Sequence, residues 1–161
     1  MCKDRFEYNI TLNSYSTAQN NNHSNLTYEL PYIDFGKFAR EGLQGKIIVD
    51  SFQYERVEFH NGSRYISVEL IPESHGSKVR FENNYDNKNK EFSNTILYIP
   101  ARLTNNQSAD IFPLPRHKQY ILPPAVDEIK KITVRLVRQN KDLVGAVVNS
   151  GYILSLRIVF E

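Results

Sequence analysis

The last thirty or so residues, Lys130 to Phe160, constrain this chain most. Ile132, Val134 and Leu136 alternate with Thr133, Arg135 and Val137; further on, Tyr152, Leu154, Leu156, Ile158 and Phe160 alternate with Ile153, Ser155, Arg157 and Val159. Successive side chains of a strand point to opposite faces of a sheet, so this period-two pattern predicts two half-buried strands. Leu156 falls at the centre of the inward set. A chain that ends this way needs a second apolar layer to cover that face.

The rest of the sequence supplies candidates for that layer. Phe6, Tyr8, Ile10 and Leu12 share one face of a first strand, Arg5 to Leu12, and Asn13 to Ser24 follows as a polar loop. Leu26, Tyr28 and Leu30 mark a short strand that Pro31 ends or pushes to an edge. Asp34 to Gly42 has room for one helical turn, with Phe35, Phe38 and Ala39 at helical spacing. Gly45 to Tyr54 is apolar on both faces around Ile47-Ile48-Val49, as expected of a strand in the middle of the fold. Asp50 interrupts its Ile48, Phe52, Tyr54 face; either a bulge or a satisfied carboxylate resolves that conflict.

Asn61-Gly62 predicts a hairpin turn, and Arg64 to Ile71 a strand with Ile66, Val68 and Leu70 inward. Pro72 to Ser77 reads as a turn and Lys78 to Glu82 as a short strand through Val79 and Phe81. Asn83 to Ser93 reads as a solvated loop, and Asn94 to Ile99 as a strand stopped by Pro100. Thr104 to Pro124 carries four prolines and wanders, with one strand near Gln119 to Leu122. About eight short strands, turn signals between them and at most one short helical turn predict a single all-β domain over residues 1–161. Its expected form is an antiparallel β-sandwich of jelly-roll type.

Composition narrows function by exclusion. Twenty basic residues stand against 18 acidic ones with no basic run, which argues against a nucleic-acid partner that needs phosphates neutralised. One cysteine, Cys2, rules out an internal disulfide framework and a cysteine-based zinc site, and no apolar run is long enough to span a bilayer. The opening residues are no signal peptide, so a reducing compartment is expected. The Asn-X-Ser/Thr sequons at Asn9, Asn22, Asn25, Asn61 and Asn106 are read as coincidence in an Asn-rich chain.

His23, His60, His75 and His117 fall in four different predicted loops without metal-ligand spacing and are read as surface residues. Asp50, Glu55, Glu58, Glu69 and Glu82 lie in or near strands. A pair of them across a cleft would suit glycoside hydrolysis, and solvated outer-face residues are the plainer reading. Neither Ser63 nor Ser77 sits in a nucleophile elbow, and Cys2 is read as a terminal thiol. No cofactor is expected. Phe6, Phe52, Phe81 and Phe160 are assigned to the core, whereas Tyr32, Tyr85 and Tyr120 are open between core and a sugar-stacking platform.

Asn140 to Gly151 joins the two best strands yet carries Leu143, Val144, Ala146, Val147 and Val148. It is either another piece of sheet or an apolar loop that meets a neighbouring subunit. Phe112 and Leu114, within the run Ile111 to Pro115, pose the same choice. The candidate subunit contacts are therefore Leu143, Val144, Val147, Val148, Phe112 and Leu114.

Three stretches carry a family resemblance. Phe6-Glu7-Tyr8-Asn9-Ile10-Thr11-Leu12-Asn13-Ser14, with Asn25-Leu26-Thr27-Tyr28-Glu29-Leu30-Pro31 after the loop, is the first. Gly45-Lys46-Ile47-Ile48-Val49-Asp50-Ser51-Phe52 is the second. Ile132-Thr133-Val134-Arg135-Leu136-Val137-Arg138, Asn140-Lys141-Asp142-Leu143-Val144 and Tyr152-Ile153-Leu154-Ser155-Leu156-Arg157-Ile158 make up the third. Together they resemble small jelly-roll virion proteins of large eukaryotic double-stranded DNA viruses, virophages and polinton-like viruses. The resemblance spans about half the chain as a pattern of strands and turns, without a catalytic signature. It implies a non-enzymatic penton or minor capsid subunit, made in the host cytoplasm and residing in the virion. Its implied partners are copies of itself, as a pentamer or trimer, and other capsid proteins. Members often add an insertion domain or an N-terminal arm, for which this sequence has no room. A carbohydrate- or ligand-binding β-sandwich module is the alternative function.

Overall fold

The computed structural model describes residues 5–17, 23–54, 65–87, 90–100, 110–113, 118–139, 142–143 and 151–161. Twelve strands and two short helices follow in order among them. They are β1 (Phe6–Asn13), α1 (Ser14–Thr17), β2 (Asn25–Glu29), α2 (Phe35–Arg40), β3 (Gly45–Tyr54), β4 (Tyr65–Ser74) and β5 (Ser77–Lys78). The second half has β6 (Tyr85–Asp86), β7 (Glu91–Phe92), β8 (Thr95–Pro100), β9 (Asp110–Pro113), β10 (Gln119–Ile121), β11 (Lys131–Arg138) and β12 (Tyr152–Phe160).

One sheet runs β1-β12-β3-β10, with β9 sharing the edge of β3; the other runs β2-β11-β4-β5, with β8 also on β4. All pairs are antiparallel. The pairing is nested: β1 with β12, β2 with β11, β3 with β9 and β10, β4 with β8. A long hairpin wrapped on itself gives this order, and it is the order of a jelly roll. The all-β jelly-roll expectation is met, with twelve strands in place of about eight and a second short helix, α1, within the loop predicted at Asn13 to Ser24.

The two C-terminal strands do not pair with each other. β11 lies between β2 and β4, while β12 lies between β1 and β3 in the opposite sheet. Both are central strands, and their inward residues face across one core. Ile132, Val134, Leu136, Leu154, Leu156 and Ile158 are all at most 1% exposed. Each such side chain contributes about 1.5–3 kcal/mol on burial, which is why the alternation is so clean where a strand has one covered face.

Asp50 resolves as both sequence alternatives at once. Ser155 pairs with Ser51 but Leu156 pairs with Val49, so Asp50 is an extra residue bulged out of β3. Before the bulge Ile47 and Val49 point inward; after it Phe52 and Tyr54 do. A one-residue insertion flips the faces because the side-chain period is two. The carboxylate meets Arg157, whose Nε and Nη2 donate to it at 2.9–3.1 Å while Nη1 donates to Glu7 of β1 at 2.9 Å. One guanidinium therefore ties three strands, and these bonds hold its pKa above the usual arginine value. Arg157→Ala is expected to lower stability by about 1–3 kcal/mol, read as a lower urea midpoint, with Asp50→Asn/Arg157→Ala less than additive.

Several loop assignments change. Pro72 does not end its strand: β4 continues to Ser74, and Pro72 lies where the neighbour on one side changes from β8 to β5. The turn is instead His75-Gly76, both at positive φ (50° and 77°), as a two-residue hairpin requires. The strand expected at Lys78 to Glu82 is only Ser77–Lys78, although Val79 and Phe81 are buried as predicted. The loop expected at Asn83 to Ser93 holds the β6–β7 ladder. Asparagine amides stand in for missing ladder bonds there: Asn94 donates to the carbonyls of Leu70 and Val79, Asn84 to those of Ser93 and Thr95.

The helical turn is present as α2, opened by Asp34, which accepts from the Lys37 N–H at 2.9 Å, and closed before Gly42 at φ 76°. It drives Phe35 and Phe38 onto Phe160. Phe6, assigned to the core, is instead 38% exposed: β1 is an edge strand, and Phe6 covers Phe38 from outside.

Candidate functional site

Of the six candidate contact residues, two fall within the described chain, Leu143 and Phe112. Leu143 is 37% exposed and makes an isolated bridge to Val137, at the end of β11. Phe112 lies in β9, paired with Phe52 of β3 in the same sheet. Val144, Val147, Val148 and Leu114 lie outside the described residues, as do Cys2, His60, His117, Glu55 and Glu58.

His23 corrects the surface-histidine reading, being only 6% exposed. Its Nδ1 lies 2.8 Å from the Oγ of Ser14, itself fully buried, and that Oγ accepts from the Tyr152 N–H at 2.7 Å. A hydroxyl that accepts one bond can still donate one or accept another, so the direction of the Nδ1–Oγ bond follows the ring tautomer. Tyr28 donates to the Tyr152 hydroxyl at 2.9 Å, and the Tyr15 ring meets His23 edge-on at 5.3 Å. Burial pushes both phenols above their usual pKa.

A Ser–His contact suggests a nucleophile, but here the hydroxyl is sealed from solvent and held by a backbone N–H. Its work is to join β1, β2 and β12 at one end of the sandwich. Burial lowers the His23 pKa below 6.5. The unfolded chain then takes up a proton below about pH 6.5 that the folded one resists, so stability falls as pH drops from 6.5 toward the folded value. Urea titrations at pH 7.5 and 5.5 are expected to show a loss that His23→Asn reduces.

His75 stays at the surface, with Nε2 2.6 Å from Asp127 and Nδ1 3.3 Å from Glu128. The hydrogen bond from His75 holds the Asp127 carboxyl below its usual value. Of the candidate strand carboxylates, Asp50, Glu69 and Glu82 are among the described residues, and each has different surroundings. Asp50 is taken by Arg157, Glu69 lies 3.3 Å from Arg135, and Glu82 is exposed. Among the described residues no cluster of histidine, cysteine or carboxylate has the makings of a metal site.

A concavity of about 400 Å³ lies on the outer face of the β2-β11-β4 sheet. Its floor is the outward set of β4, Tyr65, Ser67 and Glu69, together with Tyr98 of β8. Its wall is made by Lys78, Arg80, Asp86 of β6, and Glu91 to Thr95 with β7. Tyr65 and Tyr98 meet edge to face at 5.2 Å, and Tyr85 meets Phe92 likewise at 6.0 Å. Tyr98 is 59% exposed. Partial burial, then the nearby Tyr65, Asp86 and Glu69, raises its pKa. Of the three undecided tyrosines, Tyr120 is core, its hydroxyl donating to the Ile96 carbonyl, whereas Tyr32 and Tyr85 are exposed. The outward face of β4 was implicit in the alternation from Arg64 to Ile71; the wall was not.

These elements define an antiparallel jelly-roll sandwich with a filled interior and its grooves on the outside. No family model and no curated protein matches the sequence. Among solved structures, the crystal structure of a selenomethionine-labelled mavirus penton protein is similar, covering 99% of this chain and 99% of that one. The TM-score is 0.45 and the identity 9%, a likeness too slight to carry an argument. The strand pairing above rests on this chain's own hydrogen bonds.

Proposed function

We propose that this chain is a virion structural subunit, a penton or minor capsid protein that acts through contacts with copies of itself and with other capsid proteins. The observation that supports this reading best is the nested jelly-roll pairing around an interior filled by Phe52, Phe81, Tyr120, Tyr152 and Leu70. A barrel so filled leaves its outer faces and end loops to do the work, and the jelly roll is a recurrent architecture of viral capsids. The sequence resemblance in β1, β3, β11 and β12 points the same way. Near-neutral net charge, +2, puts little repulsion between closely packed copies.

Contacts at the 140–150 and 110–115 segments, with Leu143 and Phe112 as members, fit a sandwich that meets its neighbours at its loop ends. Imaging of particles produced with this chain present is expected to show one jelly roll per subunit at the vertices or between major capsomers. Purified particles from which the chain is missing would reject the role.

A further inference from the structure

We propose that the cleft on the outer face of the β2-β11-β4 sheet binds a short neutral saccharide. This goes beyond the virion reading and does not depend on it.

Three features of the cleft select the ligand. The first is aromatic. Tyr65 and Tyr98 stand at 86° to each other, so they offer two ring surfaces at right angles, and Phe92, 46% exposed, adds a third ring from the wall. Aromatic faces of this kind suit the C–H-rich face of a pyranose, which is apolar in the middle and polar at its rim.

The second is charge. The lining carries three carboxylates, Glu69, Asp86 and Glu91, and three cations, Lys78, Arg80 and Arg138. Arg80 lies 3.9 Å from Glu91, and Glu69 is also engaged by Arg135 from the adjoining surface. A phosphate or sulfate placed here meets the carboxylates, and an ammonium meets the guanidinium groups. A neutral polyol donates to the former and accepts from the latter, so the balanced set favours it over either ion.

The third is size and polarity. A volume of about 400 Å³ falls in the roughly 300–1,000 Å³ range of small-molecule sites. Ser67, Thr95 and Gln139 add hydroxyl and amide groups to the lining, while the Asn94 NH2 is held by the Leu70 and Val79 carbonyls. A protein docking face would instead centre on a desolvated apolar core.

Saturation-transfer NMR on the full chain with lactose, maltotriose and N,N′-diacetylchitobiose tests this, with sialyllactose and inorganic phosphate as charged comparisons. At least one neutral sugar is expected to show transfer. Tyr98→Ala is expected to weaken that binding by about two- to tenfold, the scale of one lost stacking contact. Tyr32→Ala, which removes an 80% exposed ring elsewhere, is expected to leave it unchanged. Tyr98 is itself exposed, so its variant should keep the wild-type melting curve; Tyr65→Phe serves as a second probe that keeps the ring.

Transfer from none of the three neutral sugars, or only from the charged comparisons, overturns the proposal, as does binding that Tyr98→Ala leaves unchanged. Protection of Tyr98 from hydroxyl-radical labelling by a second copy of the chain overturns it too, because the face would then be a subunit interface. A monomer that binds a sugar through Tyr98 retains the saccharide site while rejecting the capsid subunit, so the two readings fail separately.

Discussion

Leu156→Asp is expected to yield no soluble folded protein. Leu156 is 1% exposed, near the middle of β12, with Ile10 of β1 on one side and Val49 of β3 on the other. A carboxylate there loses its hydration and gains no partner among the apolar inward residues of either neighbour. The cost of burying an unpaired charge is several kcal/mol even after the site relaxes, and the leucine's own burial is lost as well. A domain's whole stability is about 5–15 kcal/mol, so the folded state should be depopulated. Soluble yield and far-ultraviolet circular dichroism read the outcome. A variant that melts like wild type would mean that the inward face of β12 has been assigned backwards.

Phe160→Ala is the second large effect. Phe160 is 1% exposed and stacks on Phe38 at 4.2 Å, with Phe35 at 5.0 Å and Tyr8 at 6.3 Å. This one ring joins α2 to β1 and β12. Truncation removes the transfer free energy of the ring and leaves a cavity that rigid neighbours fill only in part, at a cost of about 3–5 kcal/mol. For a chain of this length that corresponds to a fall in Tm on the order of 10 °C. Phe6→Ala, at the exposed rim of the same cluster, is expected to cost about 1 kcal/mol or less. Equal shifts for the two would contradict the placement of Phe160 as hub and Phe6 as cover.

The inward faces of β4, β11 and β12 were legible because each strand has one covered face, which writes a period of two into the sequence. Asp50 was legible as a conflict, since a carboxylate in an apolar face demands either a partner or a bulge, and the chain supplies both. The division of β11 and β12 between opposite sheets was not legible. Partner choice depends on pairings such as Phe6 with Phe160, from opposite ends of the chain, and alternation is silent about them. His23 looked like a loop residue for the same reason, because its burial depends on Ser14 and Tyr152 meeting it in space. Pro72 misled because proline usually ends a strand, whereas here it occupies a gap between successive neighbours of β4. The outer cleft was half legible: alternation turns Tyr65, Ser67 and Glu69 outward, but only the β6–β7 ladder makes that face concave.

Function through contact between copies is the central claim, and light scattering on the purified full chain during size-exclusion chromatography tests it most directly. The account predicts a discrete pentamer or trimer of the 18.7 kDa chain that Leu143→Glu weakens. A strict monomer at every concentration reached, unchanged by Leu143→Glu, would contradict it.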